Sequence, residues 1–564
     1  MKRWAPLTVI VPLCVAAIVV SERRRVDTTA DASSVLFLVA DTEKELTRMP
    51  VRFTRMSDQE EIAIGDQMAK YYATDWEKKK LGGDKDVQAY VDQVGGRLAP
   101  YAHRKLPYRF HYVPEPYLTN AFALPGGHVF VGKGLIALMD SEDELAAVIG
   151  HEIEHIDHYH CAERIQQQQA LRKVPFAELI ALPIEIFEAG YSKDQELEAD
   201  REGTRLVVQA GYSANGAIRM FETFQRLYEE YHTRAKTPQQ ELSTVAQETL
   251  EGYFRSHPLA SERIAQVQTM IASEHWEVRT ERDLAIAYVF WTDRAEEALK
   301  RGAYPAAEQL AARSLLVQPA QPMALEILAR AQFAQANFPT AAASFRKLLE
   351  MGGPQPEIVN QYAYALAAAD RTTAAGEFRQ WMNSVHGESQ QLKVAYAGLE
   401  LLAGDPRPAS VLGTSGGGQS EPQDPALLGE LGWWYYKAAD FPPAVDLLAR
   451  AYQQRPGDSM TVVRLALAQI ELHHLADALQ LLDAVQYESA PTPHVLSMAR
   501  AVCRWQAQQP DEALPSFLAA LDKGPEWNDP KWVRALYSSS VVQSVQEMRA
   551  EETRRRNARA ASNR

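Results

Sequence analysis

Cysteine is scarce in this 564-residue chain: Cys14, Cys161 and Cys503 stand far apart with no Cys-x-x-Cys pair. That excludes a disulfide framework and a thiolate zinc site. Long apolar runs are also missing. Ala5–Val20 is the one stretch apolar enough to matter, and a mean hydropathy of −0.31 excludes a polytopic membrane protein. A basic surplus is absent too: 59 Lys+Arg against 73 Asp+Glu leave a net charge of −14. A surface of that sign does not coat nucleic acid, so no nucleic-acid partner is expected. Gly (30) and Pro (31) are too few for a collagenous or low-complexity chain. What remains is a body with an ample core, about three to five domains long unless a repeat array absorbs the length.

The Ala5–Val20 run follows Lys2 and Arg3. It is short for a spanning helix and fits an export signal, so residues 1–21 are expected to be a signal peptide or a membrane anchor. Arg23, Arg24 and Arg25 follow at once, and charge there hinders translocation, which keeps the anchor open. Small polar residues from Asp27 to Ser34 make 22–55 a linker. Ser57 with Glu60 forms a capping box opening a helix. Val87, Tyr90, Val91, Val94 and Leu98 keep helical spacing. Tyr108–Val113 and His128–Val131 read as strands, and Asn120–Leu124 before Pro125-Gly126-Gly127 reads as part of a short hairpin. Ser141 and Glu144 cap one more helix.

From Asp283 onward the sequence is Ala- and Leu-rich and repeats itself. Gly302-Ala303-Tyr304-Pro305 recurs as Ala336-Asn337-Phe338-Pro339, and Ala439-Asp440-Phe441-Pro442 aligns with His473-His474-Leu475-Ala476. Both offsets are 34 residues, the tetratricopeptide (TPR) period. Stacked helix pairs of this kind suit protein binding, so a protein partner is expected for the array. Residues 405–425, rich in Gly and Pro, are expected to form a flexible break, and the Arg-rich residues 546–564 a disordered tail.

The chemistry sits in His151-Glu152-Ile153-Glu154-His155. Histidines at i and i+4 share one helix face and can converge on a single zinc, while Glu152 can take a proton from metal-bound water. Zinc with an open catalytic position wants a third protein ligand. His158 lies too far along the axis for the same ion, His160 points off that face, and Cys161 stands where a third histidine would be needed. A carboxylate from Glu196-Leu197-Glu198-Ala199-Asp200 is the remaining source. Glu196 and Asp200 share a face that Gly203 continues, allowing close approach to the histidine helix, with Glu196 as ligand and Asp200 bonded to a ligand histidine. Glu198 points to the opposite side and reads as solvated.

Asn120-Ala121-Phe122-Ala123-Leu124-Pro125-Gly126-Gly127, the HExxH, the Glu196…Asp200 pair and Ser256-His257-Pro258 resemble, in this order, the HtpX-like and CAAX-prenyl-protease-like zinc peptidases. With a TPR array behind the peptidase domain, the chain looks like the soluble periplasmic BepA-type branch. The resemblance implies an α+β, mostly helical fold: a gluzincin-type metallopeptidase domain with a small sheet over 56–275, then an all-α TPR solenoid over 283–545. It implies one Zn2+ per chain on His151, His155 and Glu196, Glu152 as general base, and His257 close to the metal as a gating residue. Asn120, Ala121, Phe122 and Ala123 would offer an edge strand to an extended substrate, or merely complete the sheet. The implied activity is endoproteolysis of unfolded or misassembled cell-envelope proteins in the periplasm; the alternative is a non-catalytic TPR scaffold with a structural metal site. Glu154 departs from the family's small or apolar residue and sets an extra carboxylate beside the site.

Overall fold

The computed structural model describes residues 56–78, 84–115, 118–172, 191–234, 260–277, 279–384, 389–404, 422–485 and 493–562. The expected signal or anchor (1–21), the linker (22–55), His257 and most of the 405–425 break lie outside these residues. Among the described residues no helix is long and apolar enough to cross a membrane. The chain divides into two units, Met1–Ile286 and Ala287–Arg564.

In the first unit, α1 (Asp58–Lys78) starts at a closed capping box: Ser57 N donates to Glu60 Oε2 (3.0 Å) and Glu60 N to Ser57 Oγ (3.3 Å). Helix α2 (Lys85–Leu98) is capped by Asp84 and buries the stripe Val87, Tyr90, Val91, Val94 and Leu98. Three strands follow: β1 (Arg109–Val113), β2 (Ala121–Leu124) and β3 (His128–Gly132). They form one sheet in the order β1-β3-β2, with β1 parallel and β2 antiparallel to β3. The β2–β3 turn needs Gly126 (φ 77°), where a Cβ would also meet the Ile62 backbone at 2.5 Å.

Register decides what β2 presents. Gly132 N donates to Asn120 O (3.0 Å), and Phe122 stands opposite Phe130. Bonded and non-bonded pairs alternate in an antiparallel ladder. Ala121 and Ala123 therefore turn their backbone groups away from β3, toward the sheet edge.

Helix α3 (Glu142–Asp157) carries the HExxH. Its first turn is fixed by acidic side chains that are buried yet satisfied. Glu142 accepts from Tyr90 Oη (2.5 Å) and Arg97 Nη1 (2.6 Å), and Asp143 accepts from Ser213 N (2.6 Å) and Arg282 N (2.7 Å). Carboxylates at a helix N-terminus also suit its dipole. After α4 (His160–Arg172) come α5 (Lys193–Gln209), opened by the Ser192–Gln195 capping box, then α6 (Asn215–Arg234) and α7 (Ala260–Ser273).

The second unit is a TPR-like helical solenoid running from Ala287–Lys300 to Pro510–Lys523. Its repeated turn has one backbone geometry: Gly302, Ala336, Ala439, His473 and Gln508 have φ of 73°, 55°, 61°, 61° and 62°. Four of these are non-glycine residues in the left-handed region, where helices stop and the next begins. Behind the array, Pro530–Leu536 and Ser539–Ser562 are helical. The 546–564 tail is thus corrected: its described residues, through Ser562, continue a helix. Val541, Val545 and Met548 are buried, and Arg555 and Arg556 pair with Glu551 and Glu552 one turn back (2.7 and 3.1 Å). Arginines spaced against glutamates at i,i+4 support a helix rather than repel it apart.

Candidate metal centre

Glycine brings the two site helices together. A Cβ on Gly150 would lie 2.8 Å from Val207 Cγ2, and one on Gly203 would lie 3.0 Å from His151 N. At that separation α5 delivers Glu196 to the histidines of α3. His151 Nε2 and His155 Nε2 are 3.0 Å apart, and the Glu196 carboxylate lies 3.5 Å from the first and 3.6 Å from the second. Ligand atoms of these three residues all fall within 4.8 Å of one another, and all three side chains are buried.

The outer nitrogens are tied back. His151 Nδ1 contacts Asp200 Oδ1 at 2.9 Å, and Asp200 is clamped by Arg263, whose Nε donates to Oδ2 (2.6 Å) and Nη2 to Oδ1 (2.5 Å). Arg263 is itself buried, its guanidinium 4.2 Å over the Phe221 ring. His155 Nδ1 meets His160 Nδ1 (2.9 Å), and His160 Nε2 meets Glu198 Oε2 (3.3 Å). Tyr191 stacks on His155 with centroids 3.9 Å apart. Such outer contacts fix ring orientation and leave Nε2 of each imidazole facing the centre.

Electrostatics agree. Burial works against charge on His151, yet hydrogen bonds and charge from Asp200 and Glu196 outweigh it and push its pKa up to about 10. The pocket is built for positive charge. For Glu152 burial dominates, aided by Glu196 and opposed by His151, and pushes its pKa up to about 7.

The structure therefore brings together His151, His155, Glu196 and Asp200, with Glu152 buried on the same helix and Asn120–Ala123 at the sheet edge. There, Asn120 Oδ1 accepts from Ala121 N (3.0 Å), and Cys161 Sγ donates to Ala123 O (3.6 Å). Two sequence readings change. His160 points off the ligand face but reaches His155 through its own helix, and Glu198 is held by His160 rather than solvated freely. Helical phasing along one element cannot show a bond made across the turn at His158–Tyr159. Arg263 was missed although it left a signal: an arginine occupying the buried stripe Arg263–Val267–Met270. Tyr191 left none.

Residues 85–271 match the model of Peptidase family M48. The putative beta-barrel assembly-enhancing protease of Vibrio cholerae is 32% identical over 202 residues, 32% of this chain and 38% of that protein. The mitochondrial metalloendopeptidase OMA1 of Schizosaccharomyces pombe is 30% identical over 182 residues, covering 30% and 54%. The beta-barrel assembly-enhancing protease of Escherichia coli K12 is 25% identical over 233 residues, covering 37% and 44%. The chain spans between 38% and 54% of the length of these relatives.

Proposed function

We propose that this chain, with a Peptidase family M48 domain at residues 85–271, is a zinc-dependent metalloendopeptidase acting on unfolded or misassembled proteins of the cell envelope. One observation carries the reading: two imidazole Nε2 atoms and a carboxylate converge while the far side of each ring is held by a separate partner. His151, His155 and Glu196 would hold the metal. That donor set fits zinc with an open position, and zinc bound there supplies Lewis acidity and lowers the pKa of a coordinated water to about 7.

The protein's own residues do the rest. Glu152, its pKa pushed up to about 7 by burial, can hold a proton at its carboxylate and release it near neutral pH. Asp200, locked by Arg263, keeps His151 Nδ1 occupied and Nε2 turned inward. The outward-facing backbone groups of Ala121 and Ala123 can bond an extended peptide without regard to its sequence, as suits unfolded clients. Because Asn120 Oδ1 already takes Ala121 N and Cys161 already donates to Ala123 O, pairing would use Ala121 O and Ala123 N.

The envelope location rests on the pattern of residues 1–21 and on the kinship with assembly-enhancing proteases. The TPR array would hold a protein partner. The test is cleavage of casein by the purified chain with and without chelator, beside its zinc content. Cleavage that chelator stops and zinc restores supports the reading; stoichiometric zinc with no cleavage would favour the scaffold.

A further inference from the structure

One cation beside the metal centre has no carboxylate of its own. Arg164, in the second turn of α4, is half-buried, and its guanidinium carbon lies 4.8 Å from the centroid of the Tyr191 ring. The same ring stacks on His155 at 3.9 Å, so a single aromatic ring separates the cation from a metal-facing imidazole. Cys161 lies one turn before Arg164 on the same face of α4. Its Sγ reaches both Tyr191 Oη (3.3 Å) and Ala123 O at the sheet edge (3.6 Å). Arg164 thus stands beside the path that joins the edge strand β2 to the metal centre.

The other arginines around the site are tied to fixed partners. Arg263 is held by Asp200 (2.5 Å), Arg201 by Glu202 (2.8 Å) and Arg104 by Glu61 (2.5 Å). In a chain with a net charge of −14 acidic partners are plentiful, yet among the described residues none pairs with Arg164. An arginine packed on an aromatic ring keeps its N–H fork available for a carboxylate. In a half-buried setting such a charge-assisted pair outweighs its counterpart on an open surface. An extended chain advances about 3.3 Å per residue, which brings a side chain one or two residues from the scissile bond within reach of a guanidinium one ring away from His155.

We propose that Arg164 is a specificity residue that pairs with an Asp or Glu side chain of the client within two residues of the scissile bond. The inference rests on the peptidase reading above and names a chemical preference within it. Backbone pairing along β2 reads no side chain, so Arg164 supplies the selectivity that the edge strand lacks.

The test is digestion of dephosphorylated casein by the zinc-loaded full chain, with the cleaved bonds read by mass spectrometry. Asp or Glu should be enriched within two residues of those bonds. A peptide cut at such a site should lose about tenfold in kcat/KM, chiefly through KM, when that Glu is replaced by Gln, the scale of one charge-assisted hydrogen bond. Arg164→Lys should keep the preference, Arg164→Gln should erase it, and Arg164→Glu should turn it toward Lys and Arg, each with stoichiometric zinc. The same Glu and Gln peptides should bind the Glu152→Gln chain with a similar ratio, a measurement that needs no hydrolysis. Zinc-loaded protein that cleaves nothing would count against the peptidase reading, whereas equal binding of the two peptides would overturn this one. Cleavage sites indifferent to charge, or an unchanged preference in Arg164→Glu, would overturn it as well.

Discussion

Glu152 and Glu196 are both buried carboxylates in one pocket, yet they should fail differently. Glu152→Gln is expected to keep stoichiometric zinc and lose at least about a hundredfold in peptide hydrolysis, the usual scale of a lost general base. Zinc analysis beside a peptide assay checks both halves; comparable turnover would end the assignment. Glu196→Ala should lose the metal itself. Glu198→Ala should retain it with affinity lowered about 10–100-fold, because Glu198 acts on His155 only through His160. A third carboxylate, Glu144, offers a pH test. Burial pushes its pKa up to about 7, so the fold favours its protonated form. That contribution is full below the unfolded value near 4.5 and is lost as pH rises through about 7. Glu144→Gln should therefore be no more stable than wild type at pH 4 but more stable at pH 8, by at most about 2–3 kcal/mol. Equal denaturant midpoints at both pH values would show that Arg219, 3.3 Å away, already compensates the charge.

The α3–α5 pair shows how much of the site the sequence carried and where it stopped. The HExxH spacing, the Glu196–Asp200 face and the small residue at Gly203 each follow from 3.6-residue geometry within one helix, and the structure has all of them facing one another. His160–Glu198 and Arg263–Asp200 join separate elements, and no periodicity within an element encodes a partner on another. Glu154 was legible as an extra carboxylate, and the structure pairs it with His158 one turn on, at 3.2 Å. The hairpin was readable from Pro125-Gly126-Gly127; which alanines faced the edge required the register. The close approach itself is testable. Gly203→Ala would set a Cβ 3.0 Å from His151 N and 3.1 Å from Gly150 C and O, all backbone atoms with little room to yield. Overpacking of this kind costs about 1–3 kcal/mol, and the retreat of α5 should also weaken zinc binding. Unchanged zinc affinity with unchanged stability would mean the helices are less tightly set than these distances indicate.

At the scale of the molecule, the end of the chain binds the TPR array together. Tyr304 Oη donates to Glu526 (2.5 Å), Lys531 Nζ to Ala336 O (2.7 Å), and Ser538 Oγ to Glu471 (2.6 Å), so residues 526–538 bond to repeats separated by well over a hundred residues. Trp527 and Trp532 are buried within this segment, with Tyr537 packed on both. Surfaces covered this way are not open to a partner, which leaves the proposed client contacts to other faces of the repeats. A solenoid otherwise gains stability only from nearest neighbours, so a segment crossing several repeats should make its unfolding more cooperative. Trp532→Ala removes a large buried ring and should cost about 3–5 kcal/mol. The expected result is a lowered and broadened melting transition for the array. Residues 1–286 form a unit of their own, and deletion of 287–564 should leave zinc binding and small-peptide cleavage while selectivity for protein clients falls. Calorimetry of Trp532→Ala with zinc-dependent activity followed on the same temperature ramp checks both. Activity lost together with the array would show that the two units unfold as one, and an unmoved array transition would show that the crossing segment does not hold it.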